Sequence, residues 1–146
     1  MQALLLADHR CPGLAPLTER TASVLLPVAG KPIIEHQLEA LANSDVRHVT
    51  IAVHPHASQI EARVGSGARW GLEVEFVITH GDESTDEVLC RLDKRGPRCL
   101  IVSSLRLRDQ WISDFLEEYE VHRDHSVVTA WSDGTSLGLE VRNFEA

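Results

Sequence analysis

The side chains most able to do chemistry follow three short apolar runs. Asp8-His9-Arg10-Cys11 comes after the first, His54-Pro55-His56 after the second and His80 after the third. Carboxylate, imidazole and thiolate groups are competent Zn²⁺ ligands. If the runs are neighbouring strands, Asp8, His9, His54 and His56 form the candidate metal set, with His80 beside them. The commoner reading of such residues is as exposed loop side chains, and no cofactor is expected. No Ser-His-Asp or Cys-His spacing marks a nucleophile, and Cys11 alone is weak support for one. Asp82, Glu83, Asp86 and Glu87 form an acidic cluster. It reads either as a solvated helix start, where carboxylates are favoured, or as a docking surface for a basic partner.

The elements that must position these groups alternate. Ala3 to Ala7 is short and wholly apolar, as a buried parallel strand would be. Residues 8–23 show no periodicity and are expected to be a long loop. Pro32 suits a first helical turn, with Ile33, Ile34, Gln37, Leu38 and Leu41 forming an apolar stripe. His48 to Val53 and Leu72 to Ile78 read as strands, with Val74, Phe76 and Ile78 sharing a face. Helices are expected over Ser58–Val64 and Glu83–Leu92, and a fourth strand over Cys99–Val102. Asp109 to Arg123 is the best amphipathic helix, with Trp111, Ile112, Phe115, Leu116 and Tyr119 inward. Ser126–Trp131 and Leu137–Val141 flank a turn at Ser132-Asp133-Gly134. Cys90 and Cys99 sit on apolar positions and are expected to pack. Trp70, Trp111 and Trp131 are expected at the core or its boundary.

This order predicts an α/β, Rossmann-like three-layer sandwich with a mainly parallel sheet. Ligands in such folds bind beyond the carboxyl ends of the strands. Here those ends are Ala7–Asp8, Val53–His54, Ile78–His80 and Val102–Leu105.

The chain has 146 residues, enough for one domain with a real core. Its net charge of −8 argues against nucleic acid or an anionic membrane as partner. No apolar run is long enough to span a bilayer. The amino end lacks a basic leader, and three cysteines show no CxxC spacing. Reduced thiols and a cytoplasmic location are expected.

Three stretches resemble a known family. They are Leu4-Leu5-Leu6-Ala7, Leu14-Ala15-Pro16-Leu17-Thr18 and Leu25-Leu26-Pro27-Val28-Ala29-Gly30-Lys31-Pro32-Ile33-Ile34-Glu35-His36-Gln37-Leu38. They resemble the amino-terminal part of nucleotide-sugar pyrophosphorylases, the sugar-1-phosphate nucleotidyltransferases. The resemblance continues more weakly through Ser66–Gly71 and the strand at 99–102. It implies the nucleotidyltransferase fold, here shortened at the carboxyl end into a single truncated domain over residues 1–146. In the family, the later part supplies a second metal carboxylate and much of the sugar pocket.

The resemblance also shows what has changed. The family's first strand runs into a glycine-rich loop that cradles triphosphate with backbone N–H groups and an arginine. Here the glycine positions hold His9 and Cys11, and Asp8 adds a negative charge. Like charges ~4 Å apart repel by about 4 kcal/mol at an effective dielectric near 20. Pro12 has no N–H, Gly13 stands at the arginine position, and Arg10 sits three residues early. Ser23 replaces the phosphate-contacting lysine. Leu105 stands where the family's Mg²⁺-binding aspartate would follow Ser103-Ser104. In the stretch matching the base- and sugar-reading motif, only Thr85 agrees.

The remnant cleft is therefore expected to comprise Leu6, Ala7, Asp8, His9, Arg10, Cys11, Gly13, Ser23, His80, Ser103 and Leu105, with no catalytic residue among them. The resemblance and these losses together imply an inactive nucleotidyltransferase-like protein. It would act as a regulatory or protein-interaction module linked to sugar-nucleotide or polysaccharide production. A protein partner or self-association would cover the sheet near the last hairpin. The alternatives are a nucleotide or nucleotide-sugar sensor and, behind it, a residual transferase.

Overall fold

In chain order the elements are β1 (Gln2–Ala7), α1 (Leu17–Arg20), β2 (Pro27–Val28), β3 (Lys31–Pro32), α2 (Ile33–Ala42), β4 (His48–Val53), α3 (Ala57–Val64), β5 (Glu73–Ile78), α4 (Thr85–Arg91), β6 (Arg98–Val102), α5 (Trp111–Tyr119), β7 (Val127–Ser132) and β8 (Thr135–Asn143). The computed structural model describes residues 1–8, 11–92, 96–103, 111–121, 125, 127–132 and 135–144. The side chains of Trp111 and Trp131, and all of His9, Arg10 and Leu105, lie outside the described part.

Six strands form one sheet in the order β5-β4-β1-β6-β8-β7. β1 pairs in parallel with β4 on one side and β6 on the other, Leu5 lying opposite Ile51 and Val102. β5 extends the parallel part. β8 and β7 close the other side as an antiparallel pair. β1 sits in the middle because it is apolar on both faces and buried at every position.

Its alternate residues enter two cores. Ala3, Leu5 and Ala7 join Val49, Ile51, Val53, Leu100 and Val102 against Ile34, Leu38 and Leu41 of α2, Ile60 and Val64 of α3, and Ile112, Phe115 and Tyr119 of α5. Leu4 and Leu6 join Ala52, Cys99 and Ile101 on the opposite face, beneath Val88 and Leu89 of α4. Helices therefore cover both faces, as the alternating pattern predicts. Each fully buried leucine or isoleucine is worth roughly 1.5–3 kcal/mol. Among the described residues, no helix is long and apolar enough to cross a membrane.

Several expectations need correction. Residues 8–23 are not one irregular loop. They contain a 3₁₀ turn at Pro12–Leu14 and the short α1. Both are too short to leave a periodic signature. Pro32 ends β3 and caps α2 rather than entering its first turn, because Lys31-Pro32 pairs with Pro27-Val28 across Ala29 and Gly30. Those two residues have φ of 50° and 77°, as tight hairpins require. Val74 and Phe76 pack partly against the core, but Ile78 is 61% exposed, since β5 is an edge strand. Cys99 is buried, whereas Cys90 is exposed, because α4 turns only Val88 and Leu89 to the sheet.

The acidic cluster is largely taken up by internal contacts. Ser84 and Glu87 form a reciprocal capping box at the start of α4. Glu83 accepts from the His80 amide and from Arg91, and Asp86 meets Arg142 of β8. These contacts favour the helix-start reading over a docking surface.

Candidate functional site

A cleft of about 500 Å³ opens above the carboxyl ends of β1 and β4. Cys11, Pro12, Ala15, Thr18, Glu19, Ala22 and Ser23 line it from the chain between β1 and β2, and His54, Pro55 and His56 from the turn after β4. Four candidate residues thus come together: Cys11, Ser23, His54 and His56. They do so because β1 and β4 are adjacent and parallel, so both strand ends point the same way.

The rim is tied down locally. The Thr18 hydroxyl donates to the Cys11 carbonyl at 3.4 Å. The Gln59 amide of α3 donates to the Arg20 carbonyl at 2.8 Å and accepts from the Ala22 amide at 3.4 Å. The 3₁₀ turn fixes the backbone between. Leu14 N–H bonds to the Cys11 carbonyl at 2.9 Å and Ala15 N–H to the Pro12 carbonyl at 3.2 Å. His56 adopts φ of 62°, uncommon for a residue with a Cβ and worth of order 1 kcal/mol in strain. Ser23 is almost wholly buried.

Asp8 is buried rather than displayed. Its Oδ2 accepts from the Thr79 hydroxyl at 3.1 Å. Thr79, just past β5, is itself buried, and its amide bonds to the Val53 carbonyl. The bond therefore reaches across the end of β4 and ties three strand ends together. Beside it, Gly81 lies against the His54 ring: a Cβ there would come within 2.5 Å of Cδ2. With φ of +81°, only glycine fits comfortably. Gly81 thereby fixes one wall of the histidine that faces the cleft.

Other sequence candidates stand apart. Leu6 and Ala7 are buried within β1, and Gly13 is exposed on the 3₁₀ turn. The His80 side chain is 80% exposed and turned to Glu83. Ser103 donates through both its amide and its hydroxyl to the Gly138 carbonyl of β8, at 2.8 and 3.3 Å. His9, Arg10 and Leu105 lie outside the described residues. Among the described residues, no group of three His, Cys, Asp or Glu side chains is placed to hold a metal ion.

Glu19 and Gln59 were not singled out by the sequence, and Thr18 entered only as part of a stretch that resembles the family. A hydroxyl seven residues from the carbonyl it closes, and a glutamine on the next helix, carry no local signal. Glu19 is the acidic residue among the cleft's described lining residues. No lysine or arginine joins it there.

Residues 3–96 match the family model described as nucleotidyl transferase. A glucose-1-phosphate thymidylyltransferase of Streptomyces griseus is 40% identical over 77 residues, covering 53% of this chain and 22% of that protein. A mannose-1-phosphate guanylyltransferase catalytic subunit beta of Drosophila pseudoobscura pseudoobscura is 34% identical over 153 aligned residues, covering 94% of this chain and 39% of that protein. The chain thus spans well under half the length of both. A solved structure of a putative glucose-1-phosphate thymidylyltransferase from Bacillus anthracis superposes with a TM-score of 0.79 at 17% identity, covering 99% of this chain and 72% of that one. That likeness fixes the fold, and the family model spans most of the chain, so the chain belongs to the nucleotidyl transferase family, among the sugar-1-phosphate nucleotidyltransferases.

Proposed function

We propose that the chain is a non-catalytic member of its family, acting as a regulatory or protein-contact module linked to sugar-nucleotide supply. The observation that carries this reading is the 3₁₀ turn after β1. A triphosphate cradle needs several free backbone N–H groups facing one point. In this turn Pro12 has none, and those of Leu14 and Ala15 are bonded to the turn's own carbonyls. Ser23, at the lysine position, is neutral, and Glu19 faces the cleft. Among the described lining residues no cation would compensate transition-state charge, and each missing electrostatic group is commonly worth 10²–10³ in rate.

A second reading keeps the cleft for binding alone, as a sensor of a nucleotide or nucleotide sugar. The volume favours it, since about 500 Å³ lies within the range of small-molecule sites. One experiment addresses both. The purified chain is incubated with sugar 1-phosphates, nucleoside triphosphates and Mg²⁺, and pyrophosphate release is followed beside the melting temperature. The proposal expects no release. Turnover above the enzyme-free rate would overturn it. Stabilisation by a single compound without turnover would favour the sensor.

A further inference from the structure

β5 forms one side of the sheet, and its outer edge is only partly closed. Glu73 and Thr79 turn their N–H groups inward, to the carbonyls of Arg47 and Val53. Backbone groups alternate in direction along a strand, so those of Val74, Phe76 and Ile78 point outward. That edge is stopped at both ends. The Val74 N–H bonds to the Ser66 carbonyl at 3.0 Å, and Arg91 Nη2 donates to the Ile78 carbonyl at 2.6 Å. Between these stops, among the described residues, the Phe76 N–H and carbonyl and the Ile78 N–H have no hydrogen-bond partner.

The side chains along this edge divide by face. Val74 and Phe76 lie on the face of α2 and α3, and Ile78 of the same set is largely exposed. Glu75 and Val77 pair with Thr50 and Ala52, on the face that α4 covers. Arg91 of α4 reaches the edge from that face, where it also meets Glu83 and stays partly exposed.

We infer that this edge pairs with the same edge of a second copy, antiparallel about a twofold axis at Val77. Phe76 then stands opposite the partner's Ile78, and Ile78 opposite the partner's Phe76. Each Ile78 N–H meets a Phe76 carbonyl. Each Phe76 N–H meets an Ile78 carbonyl, which keeps a second lone pair beside Arg91. The open window thus pairs with its own image, which is what favours a second copy over an unrelated strand. The exposed Ile78 gains an aromatic cross-strand neighbour, and Val77 meets its counterpart. Charge fits as well. Glu75 lies opposite the partner's Thr79, on the face from which the partner's Arg91 reaches its strand end. A register centred on Glu75 would instead oppose like charges, and Ser66 already closes the edge on that side.

This interface lies across the sheet from the β7–β8 hairpin and does not depend on whether the cleft is catalytic. Sedimentation equilibrium of the full chain over a concentration series should show a monomer–dimer equilibrium that weakens as salt rises. Amide exchange along the same series locates the contact. The Phe76 and Ile78 amides should exchange fast at dilution and slow as dimer forms, with β7 unchanged. Ile78→Lys alters a side chain that is 61% exposed in the single chain. It should weaken association about tenfold at an unchanged melting temperature of the dilute protein. Glu75→Lys, set against the partner's Arg91, should weaken it too. A chain that stays monomeric throughout would overturn the inference. So would a dimer indifferent to both substitutions, or one whose protection appears at β7 instead of Phe76 and Ile78. Pyrophosphate release would sink the non-catalytic reading and leave this result standing.

Discussion

At the scale of single residues, the buried contact between Asp8 and Thr79 carries more weight than any exposed histidine. It supplies a hydrogen bond to a carboxylate that has left solvent. Thr79→Val keeps the shape and removes that donor. The expected loss is about 1–3 kcal/mol, read as a lower urea midpoint with an unchanged slope. A smaller effect would mean that water replaces the hydroxyl. The composition of the cleft was legible in part. The replacement of glycine by His9 and Cys11 and of lysine by Ser23 is visible in the letters. The burial of Asp8 was not, because its partner lies 71 positions away and nothing local joins them.

Elements were more legible than side chains. β1, α2, β4 and β8 follow from apolar spacing, because each must bury at least one face. The 3₁₀ turn and α1 escaped, being too short for an apolar pattern to repeat within them. Beside the apolar core, an ion cluster of Glu35, Arg63 and Arg69 links α2 to α3 and to the 3₁₀ turn at Ala68–Trp70. Burial of Glu35 pushes its pKa up, but the Arg63 hydrogen bond and the charges of Arg69 and Arg63 outweigh it, and the carboxyl titrates below its ordinary range. Its folded pKa is thus lower than its unfolded one. The stabilisation is present above the unfolded value and is lost as pH falls through the folded value. Glu35→Gln should lower stability at neutral pH by about 1 kcal/mol, the half-exposed arginines being screened. Melting curves of the two proteins should converge as the solution is acidified below the ordinary carboxylate range. A gap independent of pH would show that Glu35 acts through shape alone.

For the whole molecule, stability should be graded across the sheet. β1 has a strand on each side and apolar contacts on both faces, whereas β5 and β7 each have a free edge. Amide exchange should be slowest in β1 and β4 and fastest in β5 and β7. Uniform protection would contradict this gradient. The strand order also constrains how the chain is made. β1 is synthesised first, yet it is an interior strand whose second neighbour, β6, ends only at Val102. Until that point emerges from the ribosome, an apolar strand with one bare edge must wait. Such exposed edges invite mispairing. Biosynthesis of this protein thus passes through a long interval in which the strand paired on both sides in the folded sheet has one side bare.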